Sequence, residues 1–162
     1  MSTNSIQFVG RMKPPVFTAL QKACLDAGVE QGVWISRAVE KSVYKYLPAE
    51  LREELDDMDA LYEAGRHKAR QVFSDRPFDE HFTLTVFREL MADPETRNLY
   101  EKLIGVDYKS ASPKKSPLNM YLGWYIKNAV EAEPILDEAR KPRRGRVSGE
   151  AIKTYTLLKR KV

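Results

Sequence analysis

The sequence predicts a mainly α-helical chain that carries one short two-stranded antiparallel ribbon. Three observations lead there. Most of the 162 residues fall into stretches with apolar side chains at three-to-four spacing, as amphipathic helices require. Two stretches, 6–12 and 81–87, instead alternate apolar and polar side chains, as extended chain does. Proline and glycine stand at the joints between these stretches, where helices start and stop.

In the first alternating stretch Ile6, Phe8, Gly10 and Met12 share one face, and Gln7, Val9 and Arg11 share the other. Pro14 and Pro15 end it and open a helix, since proline is tolerated in a first turn. Val16, Leu20, Ala23, Cys24 and Ala27 line one face of that helix, and Gly28 is placed to close it. A second helix follows from Gly32, with Trp34, Ile35, Ala38, Val39, Val43 and Tyr46 as its stripe, and Pro48 stops it. Residues 1–47 thus form one unit, strand then helix then helix. So small a unit cannot bury a core alone, and its strand lacks a pairing partner.

Residues 48–75 read as a linker helix with Leu51, Leu55, Met58, Tyr62, Gly65, Ala69 and Val72 on one stripe. Its run of Glu53, Glu54, Asp56, Asp57 and Asp59 is expected to be a solvated face, because those carboxylates point around the helix and not at a common metal. Residues 76–139 repeat the order strand, helix, helix. Phe82, Leu84 and Val86 alternate with His81, Thr83 and Thr85, and threonine and aromatics favour a strand. Asp93 and Pro94 start a helix that Gly105 closes. A loop rich in Lys, Ser and Pro leads to a last helix with Leu118, Tyr121, Leu122, Tyr125 and Ile126 inward. Residues 140–162 read as a basic tail, with a short helix expected around Ile152, Tyr155 and Leu158.

The segments "FVGRM", "VFTALQKACLDAG" and "WISRAV" resemble the ribbon-helix-helix family of DNA-binding proteins over residues 5–47. In that family two strands pair into a ribbon that enters the major groove. The resemblance implies double-stranded DNA as partner and Gln7, Val9 and Arg11 as groove readers, with the backbone N–H groups of Gly32 and Val33 holding a phosphate. The second strand pattern resembles the tandem, single-chain members found among conjugation and plasmid DNA-transfer accessory proteins. In that arrangement the strand near residue 8 pairs with the strand near residue 84, giving a monomeric pseudo-dimer with His81, Thr83 and Thr85 as a second groove-facing set. The alternative is a homodimer built on residues 1–47.

Charge supports a polyanionic partner. Residues 140–162 hold nine Lys/Arg against one acidic residue, whereas residues 48–93 hold six against twelve. Within "PRRGR", Arg143, Arg144 and Arg146 resemble the core of an AT-hook, which lies in a narrow minor groove. The function expected is sequence-specific DNA binding, as transcription regulator or transfer accessory factor. The runner-up is a protein-interaction module, antitoxin-like or scaffold, whose acidic helix 50–63 binds a basic partner.

No nucleophile–base pair, phosphate-binding loop, metal-ligand motif or dinucleotide fingerprint is present, so neither catalysis nor a cofactor is expected. The lone Cys24 cannot form an internal disulfide, and no apolar run reaches the roughly 20 residues of a membrane span. With a polar N-terminus, these features point to the cytoplasm.

Overall fold

The computed structural model describes residues 6–7, 9–27 and 29–161; the strand residue Phe8 and the capping Gly28 lie outside the described residues. Six helices occur in order: α1 (Pro14–Ala27), α2 (Gln31–Ser42), α3 (Ala49–Asp75), α4 (Phe82–Ala92), α5 (Pro94–Ile104) and α6 (Lys115–Ala129). A single 3-10 turn, Tyr44–Tyr46, separates α2 from α3. Four short strands follow, β1 (Glu133–Pro134), β2 (Arg144–Arg146), β3 (Thr154–Thr156) and β4 (Leu158–Lys159).

The long helix α3 is the central element, with α4, α5 and α6 packed around it. Leu61, Tyr62, Ala69 and Val72 of α3 are buried against Val86, Phe87 and Leu90 of α4, Tyr100 and Leu103 of α5, and Leu122 and Ile126 of α6. Gly65 marks the closest approach of α3 to α6: a Cβ there would stand 2.4 Å from Leu122 Cδ1. Local signals placed α5 well. Asp93 accepts a hydrogen bond from the Thr96 N–H at 2.8 Å, Pro94 follows it, and Gly105 closes the helix at φ 77°. The hydrogen bonds from Thr96 hold the Asp93 carboxyl below its usual range.

Two expectations are corrected here. Residues 82–86 form the start of α4, not a strand. The alternation of Phe82, Leu84 and Val86 is real, but Phe82, Val86 and Leu90 also recur at i, i+4 and i+8, as do Thr83, Phe87 and Met91. Both sets are buried, so core contact on two sides of the segment overrides the strand preference of its threonines. Among the described residues no strand near 84 is therefore available to pair with residues 6–12, and the tandem pseudo-dimer is not confirmed.

The second correction concerns the C-terminus. Residues 140–161 are part of the folded body and contain no helix. β1 pairs antiparallel with β4, and β2 with β3 in the register Arg144↔Thr156, Gly145↔Tyr155 and Arg146↔Thr154. Ala151, Ile152, Tyr155, Leu157 and Leu158 join the core formed by the helices. The Ala151 carbonyl lies 3.2 Å from the Tyr100 hydroxyl and accepts from Asn119 Nδ2 at 3.1 Å, while the Leu158 N–H donates to the Glu80 carbonyl. "TYTL" at 154–157 alternates with period two, and Tyr155 and Leu157 turn inward.

Candidate nucleic-acid interface

The N-terminal unit docks on the body through one side of α2. The Arg37 side chain is buried and donates to Asp59 Oδ1 at 2.5 Å, with its guanidinium 6.0 Å from the Tyr62 ring centre. Trp34 packs against Tyr121 and Trp124, and the Tyr121 hydroxyl donates to the Val33 carbonyl at 3.2 Å. Lys127 Nζ donates to the Asp26 carbonyl at the end of α1. These contacts account for the inner face only. On α1 just Cys24 and Ala27 are buried among the described residues, whereas Val16 and Phe17 are exposed, as are Ile35 and Val39 on α2.

Residues 6–7 and 9–13 precede α1 with no ladder partner among the described residues. Gln7, Val9 and Arg11 are exposed, as groove readers must be, but so are Ile6 at 93% and Met12 at 44%, the residues assigned to the inward face. At the start of α2, Glu30 takes an extended conformation and makes no side-chain cap. Gly32 is exposed, with no atom within 4 Å of the position of an added Cβ, while Val33 is half-buried. The first-turn N–H groups of any helix lack intrahelical acceptors, those of Gly32 and Val33 included.

The second predicted set is not assembled. His81 stands just before α4 and its Nδ1 lies 2.9 Å from the Tyr155 hydroxyl; Thr83 is buried and Thr85 half-buried within α4. Helical spacing sends these three side chains in different directions, so they do not form one strand face.

The AT-hook reading also fails on conformation, since "RGR" is strand β2 and not a free basic arm. Gly145 faces inward onto the Tyr155 ring, and Arg144 and Arg146 alternate with it on the exposed face. The Arg144 guanidinium lies 3.2 Å from Thr154 Oγ1 and 3.4 Å from Thr156 Oγ1, across the ladder. Arg143 is exposed beside them, its backbone bonded to Ile135 and Leu157. The outcome is a structured cationic ribbon. Its Thr154 and Thr156 were missed at the level of sequence, although their alternation with Tyr155 was a usable signal.

The acids of α3 face their own chain's donors. Glu53 and Asp57 both take Lys102 Nζ at 2.7 Å, Glu54 takes Lys114 at 3.3 Å, and Asp59 takes Arg37. The Tyr44 hydroxyl donates to Asp56 at 2.7 Å, which raises the phenol's pKa. Among the described residues no group of three or more His, Cys, Asp or Glu side chains has metal-binding geometry. None of the helices is long and apolar enough to cross a membrane among the described residues.

No family model matches the chain, and no curated protein or solved structure matches it either.

Proposed function

We propose that the protein binds double-stranded DNA as a homodimer, with the arms at 6–13 of two copies pairing as an antiparallel ribbon in the major groove. One observation carries this reading. The arm, α1 and the outer side of α2 display Ile6, Met12, Val16, Phe17, Ile35 and Val39 to solvent, while the inner side of α2 is docked. A second copy supplies both what those apolar groups need and the ladder partner that the arm lacks among the described residues. On the far side of the ribbon Gln7 and Arg11 then meet base edges, where Arg pairs with guanine and Gln with adenine. Gly32 at the α2 start holds a phosphate, and the exposed face of β2–β3, with Arg143, Arg144 and Arg146, adds sequence-independent attraction.

The competing reading, in which α3 seizes a basic protein, is disfavoured because Glu53, Glu54, Asp57 and Asp59 are already engaged by Lys102, Lys114 and Arg37.

Selection of bound duplexes from a random pool, followed by binding titrations over salt, tests the proposal. Affinity should fall steeply with salt. Arg11→Ala should cut discrimination between selected and random DNA by about 1–3 kcal/mol while leaving random-DNA binding nearly intact. Sedimentation should show a dimer. A monomer that still selects a sequence would refute the paired arms, and binding insensitive to salt would refute the DNA reading as a whole.

A further inference from the structure

A cleft of about 600 Å³ opens between the C-terminal end of α1, one side of α6, and the β2–β3 ribbon. That volume falls within the range of small-molecule sites. Its lining has two distinct parts. Lys115, Lys127 and Lys153 edge it, with Arg144 at the same rim, against one carboxylate, Asp26. Leu25, Met120, Trp124 and Ile152 supply apolar wall.

The cations are under-compensated. None of these four side chains forms an ion pair among the described residues. Lys115 is buried, and its Nζ donates only to the neutral carbonyls of Tyr108 at 2.6 Å and Ser110 at 3.0 Å. Burial, then the nearby Lys153, push its pKa down against a smaller opposing pull from Asp107. Lys127 is also lowered by burial, and its ammonium faces a carbonyl. A charge removed from water is costly until an opposite charge meets it. Helix α6 rises about 12 Å from Lys115 to Gly123, longer than a two-ring aromatic frame alone, so the acid group and frame of one ligand extend along it together. At Gly123 no atom lies within 4 Å of the position of an added Cβ, so this stretch of the floor is open.

We propose that the cleft binds an amphipathic organic anion, its acid group between Lys115 and Lys153 and its aromatic frame along α6 past Gly123 toward Trp124. This assignment is independent of DNA binding.

Fluorescence titration of the full chain with 1-anilinonaphthalene-8-sulfonate tests it, alongside the uncharged N-phenyl-1-naphthylamine. The anion should bind saturably at one site per chain, and more tightly than the neutral probe. Gly123→Phe should block both probes by filling the floor. Lys153→Gln, at an exposed side chain whose loss leaves the backbone ladder intact, should weaken the anion by about tenfold and leave the neutral probe unchanged. Should Gly123→Phe fail to fold, by circular dichroism, Lys153→Gln decides alone. Equal affinity for both probes, or an anion affinity indifferent to Lys153→Gln, overturns the proposal.

Discussion

Gly145→Ala is the sharpest test of how the cationic ribbon is held. An added Cβ would stand 2.5 Å from Tyr155 Cζ, 2.7 Å from Cε2 and 2.8 Å from the hydroxyl oxygen. All three atoms belong to one rigid ring, which is buried and tethered through its hydroxyl to His81 Nδ1 at 2.9 Å. The ring cannot rotate out of the way without breaking that tether, so strand β2 must lift. Overpacking of this kind costs typically about 1–3 kcal/mol. Replacing glycine in a strand recovers about 0.5–1 kcal/mol of backbone entropy. The net loss should be about 1–2 kcal/mol, a fall of roughly 2–8 °C in Tm for a chain of this size. Thermal and urea denaturation measure it. A double-mutant cycle with Tyr155→Leu localises the cause, because removing the ring should abolish most of the Gly145→Ala penalty. Stability equal to or above the parent, or strict additivity in the cycle, would refute the close contact. On the proposed DNA-binding reading, the same lifting should weaken binding to all duplexes alike, since Arg144 and Arg146 ride on β2.

Three further outcomes are expected. Gly65→Ala should destabilise by about 1–2 kcal/mol, because its Cβ meets the buried Leu122 Cδ1 at 2.4 Å while the helix gains about 1 kcal/mol in propensity; pairing it with Leu122→Ala should relieve the clash in a denaturation cycle. Tyr100 is fully buried, and desolvation raises its phenol to about 12 from 10. The folded state keeps that proton where the unfolded chain has lost it, so its contribution is complete below pH 10 and disappears as pH rises through about 12. Stability measured across that window should decline less steeply in Tyr100→Phe, and an identical slope would contradict the burial argument. Arg37→Met should loosen the N-terminal unit first: hydrogen exchange should quicken in α2 well before α3, since Asp59 loses its buried partner while the α3 core is untouched. Uniform quickening would argue against that hinge.

How much was legible in the sequence differs by element. The helices α1, α3, α5 and α6 agree with the sequence because their signals are local: Pro14 and Pro94 in first turns, Asp93 as cap, Gly105 in the left-handed region, and long stripes such as Leu55, Tyr62, Ala69 and Val72; α2 instead ends at Ser42, short of the predicted stop at Pro48, and Tyr46 is exposed. α4 was not legible, because eleven residues with both faces buried satisfy the strand and helix periods together. The C-terminal strands are two or three residues long, too short for a period to register, and their charge density disguised a folded segment as a tail. For the site, Gln7, Val9, Arg11, Arg144 and Arg146 are exposed, whereas His81, Thr83 and Thr85 do not share one strand face, because residues 82–92 are helical.

Composition and spacing alone determined a helical chain with cationic ends and an arm in want of a partner, because capping, amphipathic period and charge are written in neighbouring residues. Only tertiary structure decided that Lys115 and Lys153 edge one cleft, that Gly145 lies beneath Tyr155, and that Glu53, Glu54, Asp57 and Asp59 of α3 meet Lys102, Lys114 and Arg37. Those juxtapositions join residues far apart in the chain, and it is the burial of a shared core that sets them.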